Sequence, residues 1–424
     1  MKKKKRPGGS VIASSALILT MFVTGPRATA AAKEKVLYSF NGSNTASGSQ
    51  PEGNIVLGLA GNLYGTTFSG GTGSGDDCSD GNIYGCGTAF ELTPKAGGGW
   101  AGKVLHNFGD VGDGANPAAG LIVDSSGNLY GTTTAGGAYG CGTVFELTPN
   151  KTSADWTETI LHSFCAPGAQ VDGSGPWGGL VFDAAGNLYG TTSEGGLGQC
   201  SCGIAFELTP AAGGNWTEQV LYNFGDTADG SNPNAGLVLD AAGNLYGTTA
   251  NGGSSCYYGF GCGVVFELSP ADGGTWTEKL LYIFTEGGNP NSTLIFDKVG
   301  NLYGSTMWSG VFELAPNSDG SWTEKVISTS CCFPNALTLH SGDIYGTFST
   351  SNGQCCGSVF ELKPQGDGGW IETAVYDFQG EKQGNYPSSA LIFDSAGHLF
   401  GSTFEGGSFF QYGQPAGTVF EITP

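Results

Sequence analysis

Beyond Arg27 the chain contains no arginine, and beyond residue 30 it has ten lysines against 37 acids. The formal charge of residues 31–424 is therefore −27, against −21 for the whole chain. A surface this acidic repels nucleic acid and anionic lipid. The missing arginine also removes the usual bidentate reader of phosphate. Histidine is scarce as well, with four in all. No H-E-x-x-H, nucleophile elbow or histidine cluster occurs, so the common zinc and serine-hydrolase signatures are absent. After residue 30 no apolar run is long enough to span a bilayer. No segment there carries a helical period.

What is present begins with a leader. Lys2 to Arg6 form a positive start, Val11–Val23 an apolar core, and "ATA" at Ala28–Ala30 a small-residue cleavage site. Residues 1–30 therefore read as a secretory signal, and residues 31–424 as one domain that is secreted or held at the cell surface. A signal anchor is the competing reading, and the shortness of the apolar core argues against it. Export fits the twelve cysteines: Cys78, Cys86, Cys141, Cys165, Cys200, Cys202, Cys256, Cys262, Cys331, Cys332, Cys355 and Cys356. An even count in an exported chain points to disulfides, and the spacings do not suit zinc. Cys78–Cys86 and Cys256–Cys262 are local pairs, and Cys331/Cys332 meet Cys355/Cys356. Cys141, Cys165, Cys200 and Cys202 then have three possible connectivities.

Two short elements recur seven times. "NLYGTT" begins at Asn62, Asn128, Asn187 and Asn244 and returns in variants at Asn301, Asp343 and His398. "FEL" begins at Phe90, Phe145, Phe206, Phe266, Phe312 and Phe360 and ends as "FEI" at Phe420. The period is roughly 56 residues, within the range of propeller blades. In the second unit, "GLIVD" (120–124), "NLYGTT" (128–133), "TVFELT" (143–148) and "WTETILHSF" (156–164) read as four strands separated by turn residues. Gly136 and Gly137 mark a bulge or a positive φ. The fold class is therefore all-β, a seven-bladed β-propeller of four-stranded blades.

Only six tryptophans open a fourth strand: Trp100, Trp156, Trp216, Trp276, Trp322 and Trp370. The seventh fourth strand is "KEKVLYSF" (Lys33–Phe40), which matches "TEKLLYIF" (Thr277–Phe284). The N-terminal strand at about 33–40 is thus expected to complete the last blade and close the ring.

These units resemble the GloVer-type tandem repeat of exported bacterial proteins. The resemblance runs over residues 33–424 through "DGxNPxxGL", "D-x-x-GNLYGTT-x-x-GG" and "GTVFELTP". The order of double glycine, aromatic and Trp is also similar to kelch blades. Neither resemblance brings a biochemical activity with it, because a fold does not fix a function.

Residues present in every unit are expected to maintain the blade. That covers the FEL glutamates (Glu91, Glu146, Glu207, Glu267, Glu313, Glu361, Glu421), read as edge or blade-surface residues. It also covers the recurrent Tyr and Trp, read as blade-to-blade packing. His106 and His162 replace packing tyrosines, His340 ends a first strand and His398 takes a turn position, so all four read as structural. Function is sought in what breaks the repeat. The residues after the seven link prolines, Glu52, Ala118, Trp177, Asn234, Asn291, Asn335 and Ser388, are expected to ring the channel mouth. One Trp among several Asn suits a sugar, with a stacking platform and amide donors and acceptors. The competing reading has Trp177 plug the channel while the Asn shape turns. Tyr257, Tyr258 and Phe260, inside the loop Cys256–Cys262, and Trp308 are further candidates for recognition. Acidic loops (Asp76, Asp77, Asp80; Asp110, Asp113; Asp226, Asp229) would suit calcium, but none has EF-hand spacing. No metal site is assigned and no cofactor is required.

All twelve cysteines fall in or beside loops expected on one face. The expected function is binding of a glycan or an extracellular protein through that disulfide-rich face, by a monomeric chain with no membrane span. Two alternatives stand beside it: a secreted polysaccharide lyase or hydrolase using Glu52, and a purely structural envelope component.

Overall fold

The blade is built from alternation. In the second unit, apolar and threonine side chains on Leu129–Thr133 and over 143–147 are buried on both faces. The outer strand Trp156–Ser163 alternates half-buried and exposed residues along its first half. A strand between two neighbours and two adjacent blades reads as continuously buried, whereas a rim strand alternates. The computed structural model describes residues 32–41, 47–73, 85–153, 155–167, 172–197, 201–225, 229–253, 261–329, 334–350, 356–380, 382–408 and 416–424. The expected signal peptide lies outside these residues. Seven antiparallel sheets follow one another along the chain, each ordered from an inner first strand to an outer fourth strand. Blade 1 spans 56–107, blade 2 spans 122–163, blade 3 spans 181–223 and blade 4 spans 238–283. Blade 5 spans 295–328, blade 6 spans 334–377 and blade 7 spans 392–423 with Lys33–Ser39.

Ring closure is the one expected. Lys33–Ser39 pairs antiparallel with Thr418–Thr423, Lys33 opposite Thr423 and Ser39 opposite Thr418. Lys33–Ser39 thus pairs the edge that Thr418–Thr423 would otherwise present and becomes the outer strand of the last blade. The first strands differ from expectation. In blade 2 only Ile122–Val123 pairs, not residues 120–124. Near the axis the chain turns to its neighbour instead: Thr66 Oγ1 donates to Ala119 O, Thr132 Oγ1 to Gly178 O and Thr191 Oγ1 to Ala235 O. The "T" of "YGTT" thus hydrogen-bonds the next blade. A Cβ at Gly53 would lie 2.4 Å from Ala119 O, so this inner approach requires glycine.

The letters shared by all units have packing roles. A Cβ on Gly131 of "NLYGTT" would lie 2.6 Å from the Phe145 ring of "FEL". The recurrent Trp packs backwards onto the preceding blade: Trp156 meets Tyr64 and Trp216 meets Tyr130, both edge-on. The FEL glutamate is half-buried and not on an edge. Tyr130 Oη lies 3.0 Å from Glu146 Oε1 and 3.4 Å from Asp124 Oδ2. Its single hydrogen goes to the nearer oxygen. Burial, reinforced by Glu146, pushes the phenol well above its usual range. Asp124 also accepts the Ser126 and Asn128 amides, which closes the turn. His398 keeps that Asn role, with Nδ1 2.8 Å from Asp394 Oδ2. As expected, Gly136 and Gly137 have positive φ, 76° and 81°.

One feature of the fourth strand was not visible in the repeat. Phe145 is opposite Ile160 and Val144 opposite His162, so Leu161 is an extra residue. Such a bulge inverts the alternation beyond it. Trp156 and Ile160 therefore pack toward blade 1, while Phe164 packs toward blade 3.

Candidate functional site

Each link between blades places one residue at the axis. In the link to blade 2, Asn116 stands before Pro117 with φ 57°. The proline disfavours the right-handed helical region for the residue before it, and Asn tolerates the left-handed one. The Asn116 amide then donates to Phe68 O of blade 1. Asn232 and Asn289 repeat this with Ser193 O and Ala250 O. The residues after these three prolines, Ala118, Asn234 and Asn291, line the cavity at the axis; before Pro176 and Pro51 the left-handed position is taken by Gly175 and Gln50 instead.

The structure brings all seven such residues together. Glu52, Ala118, Trp177, Asn234, Asn291, Asn335 and Ser388 line one axial cavity of about 250 Å³. A larger cavity of about 1010 Å³ opens beside it. It shares Glu52, Trp177, Asn234 and Asn291 with the first and adds Trp308, Met307, Asn251 and Asn289. Trp177 stacks at 6.1 Å and 19° on Phe68 and remains 40% exposed, so one ring face is backed and the indole does not seal the mouth. Trp308 is 60% exposed.

The amides divide into two groups. Asn335 Nδ2 is held by Ser349 Oγ and Pro387 O, so both its hydrogens serve the fold. Asn234 and Asn291 are exposed and make no hydrogen bond among the described residues. Glu52 is half-buried, and burial raises its carboxyl to about 7. It is the one acid among the lining residues of both cavities.

Cys141 and Cys165 form a disulfide with Cα atoms 5.9 Å apart, which selects one of the open connectivities. Cys86, Cys202, Cys262 and Cys356 are each half of a disulfide too. Cys262 lines the larger cavity. Cys78, Cys200, Cys256, Cys331, Cys332 and Cys355 lie outside the described residues, as do Tyr257, Tyr258, Phe260, Asp76, Asp77, Asp80 and Asp226.

Two polar clusters at blade junctions were passed over in the sequence. His106 of blade 1 and Asp113 of the following link meet Glu158 of blade 2. His106 Nε2 is 2.9 Å from Asp113 Oδ2 and 3.6 Å from Glu158 Oε2. One junction on, His162 Nε2 is 3.3 Å from Asp172 Oδ2 and 3.9 Å from Glu218 Oε2. Burial, then the charge of Asp113, pushes Glu158 to about 9, and burial, then Asp172, pushes Glu218 to about 8. Burial works against the charge on Asp113, but hydrogen bonds from His106, Glu158 and the Gly114 amide prevail and lower its pKa. Burial lowers His162 despite Asp172. Both histidines pack edge-on against Phe108 and Phe164 as Tyr222 packs on Phe224, and like Tyr222 they join a link aspartate to a strand glutamate. The usable signal was Tyr replaced by His in two successive units, each followed by an Asp-Gly.

Comparisons with known proteins concern family and fold. The model described as the Gloeobacter/Verrucomicrobia repeat matches residues 26–259 and 152–321. No curated protein matches the chain. Virginiamycin B lyase from Staphylococcus aureus superposes with TM-score 0.55 at 16% identity, over 93% of this chain and 99% of that one. An ancestral GH74 enzyme superposes with TM-score 0.55 at 11% identity, over 88% of this chain and 48% of that one. At these identities the likeness is one of fold alone.

Proposed function

The chain belongs to the Gloeobacter/Verrucomicrobia repeat family, and from that premise we propose that it is an extracytoplasmic binding protein that takes a neutral glycan at the channel mouth. One observation carries the reading. The repeat-breaking residues converge on joined cavities where a backed, exposed indole faces two amides with no hydrogen-bond partner among the described residues. A sugar presents apolar C–H faces and a rim of hydroxyls. Stacking on Trp177 would take the first, and Asn234 and Asn291 the second. Trp308 would supply a second platform across the larger cavity. The charge of −27 on residues 31–424 disfavours polyanionic chains, hence a neutral glycan.

A panel of neutral oligosaccharides, read by titration calorimetry, tests this. Trp177→Ala is expected to weaken binding by at least tenfold, since a central aromatic anchor contributes on the order of 2 kcal/mol. Affinity unchanged in Trp177→Ala and in Asn234→Ala would sink the reading.

A second reading is supported by Glu52. Its carboxyl, raised to about 7, is suited to give up a proton near neutrality, as a lyase or hydrolase acid would. Two of the similar solved structures are a lyase and a GH74 enzyme. Against it, both cavities offer a single acid among the described residues, and polysaccharide hydrolysis uses a pair. Polysaccharide turnover that disappears in Glu52→Gln would establish the enzyme and displace the binding reading.

A further inference from the structure

We propose that the two histidine-bearing junctions, His106–Asp113–Glu158 and His162–Asp172–Glu218, are binding sites for a zinc-class divalent transition-metal ion, one ion at each. Between blades 3 and 4 the same place holds Tyr222, whose hydroxyl lies 2.8 Å from Asp229 Oδ2 and 3.0 Å from Glu278 Oε2. A neutral hydroxyl therefore suffices to join the link aspartate to the strand glutamate and hold the blades together. Histidine is not needed for that purpose. What it adds is a ring nitrogen with a lone pair, the commonest protein ligand for transition metals. At both histidine junctions one donor atom from each residue lies within 4.8 Å of the other two.

The donor spacing fits coordination. Tetrahedral zinc bound at about 2.1 Å requires neighbouring ligand atoms ~3.4 Å apart. The distances from Nε2 to the two carboxylates are 2.9 and 3.6 Å in one cluster and 3.3 and 3.9 Å in the other. They bracket that value. Of the donor atoms, His162 Nε2 is buried without a hydrogen-bond partner; the second carboxylate oxygens, Glu158 Oε1 and Glu218 Oε1, are unpartnered too, as is Glu278 Oε1 at the tyrosine junction. A buried polar atom without a partner is costly, and a bound cation would satisfy His162 Nε2. Backbone amides hold the aspartates: Gly114 donates to Asp113 Oδ1, Gly109 to Asp113 Oδ2 and Cys165 to Asp172 Oδ1. Phe108 and Phe164 meet the imidazoles edge-on and fix their planes. Side-chain exposures of 22% for His106 and 17% for His162 leave a way in from solvent and room for a fourth, water ligand. One imidazole with two carboxylates suits zinc and its neighbours, whereas calcium takes six or more oxygens.

The bulge in the fourth strand makes adjacent sites possible. Glu158 and His162 share one strand, and simple alternation would put residues four apart on the same face. The extra residue at Leu161 sends Glu158 to the junction behind and His162 to the junction ahead.

Zinc titration of the untagged protein tests this, with cobalt as a spectroscopic substitute and bound metal counted after dialysis. The expected stoichiometry is two ions for the natural chain. His106→Tyr and His162→Tyr should each bind one, and the double variant none. These variants are expected to fold, because Tyr222 fills the equivalent place, and circular dichroism checks that they do. If either Tyr variant unfolds, Glu158→Gln and Glu218→Gln replace it, with one ion lost in each. Tetrahedral d–d bands of cobalt lost in step with these variants would support the assignment. No zinc bound at micromolar concentration, or two ions retained in the double variant, would overturn it. Glycan binding at the mouth should be the same in all of these proteins.

Discussion

Glu52 and Gly131 show how differently two single residues are constrained. Glu52 sits at the mouth with a carboxyl raised from 4.5 to about 7 by burial. The folded protein therefore holds a proton that the unfolded chain releases at lower pH. Its stabilising contribution is complete below about 4.5 and is lost as pH rises toward 7. Glu52→Gln should flatten the fall in melting temperature between those values and raise stability above pH 7. An unchanged slope in thermal scans across that range would contradict this. Gly131 is constrained sterically. Gly131→Ala places a methyl 2.6 Å from Phe145 and 2.9 Å from Leu121. It should cost about 1–3 kcal/mol in urea unfolding through overpacking. A cost below a few tenths would mean that the blade re-packs freely.

At the scale of the element, the loop between Cys141 and Cys165 depends on a covalent tie and the strands on their neighbours. The bond between Cys141 and Cys165 closes a loop of sequence separation 24. Removing it with paired serines should destabilise the protein by about 3 kcal/mol, from the chain entropy restored to the unfolded state. Urea midpoints of the two proteins check this. The sequence made the strands legible because their period of two is local. It made the link prolines legible because they recur. It did not show the bulge at Leu161, since an inserted residue that recurs in every unit looks like part of the repeat. That omission also hid the clusters around His106 and His162, whose partners come from different blades.

The whole molecule is a ring whose last sheet is made from both ends of the chain. Deleting Lys33–Ser39 would open the outer edge of blade 7 and uncover Phe420, which is fully buried. Such a protein should lose cooperative unfolding and aggregate. A sharp, reversible melt after that deletion would show that closure is dispensable. The acidic surface also belongs to this scale. A formal charge of −27 on residues 31–424 repels polyanions but does not choose among neutral partners.

The sequence by itself determined the blade, the number of blades, the closing strand and the set of residues that meet at the axis. Each depends on local alternation or on the phase of a repeat. Only the tertiary structure decided that the mouth is open, that Trp177 rests on Phe68, and that Asn335 is occupied while Asn234 and Asn291 are not. It alone brought His106 to Glu158 and His162 to Glu218. The reason is physical. Side-chain partners across a blade junction are set by twist, bulge and packing between units, and no spacing along the chain encodes them.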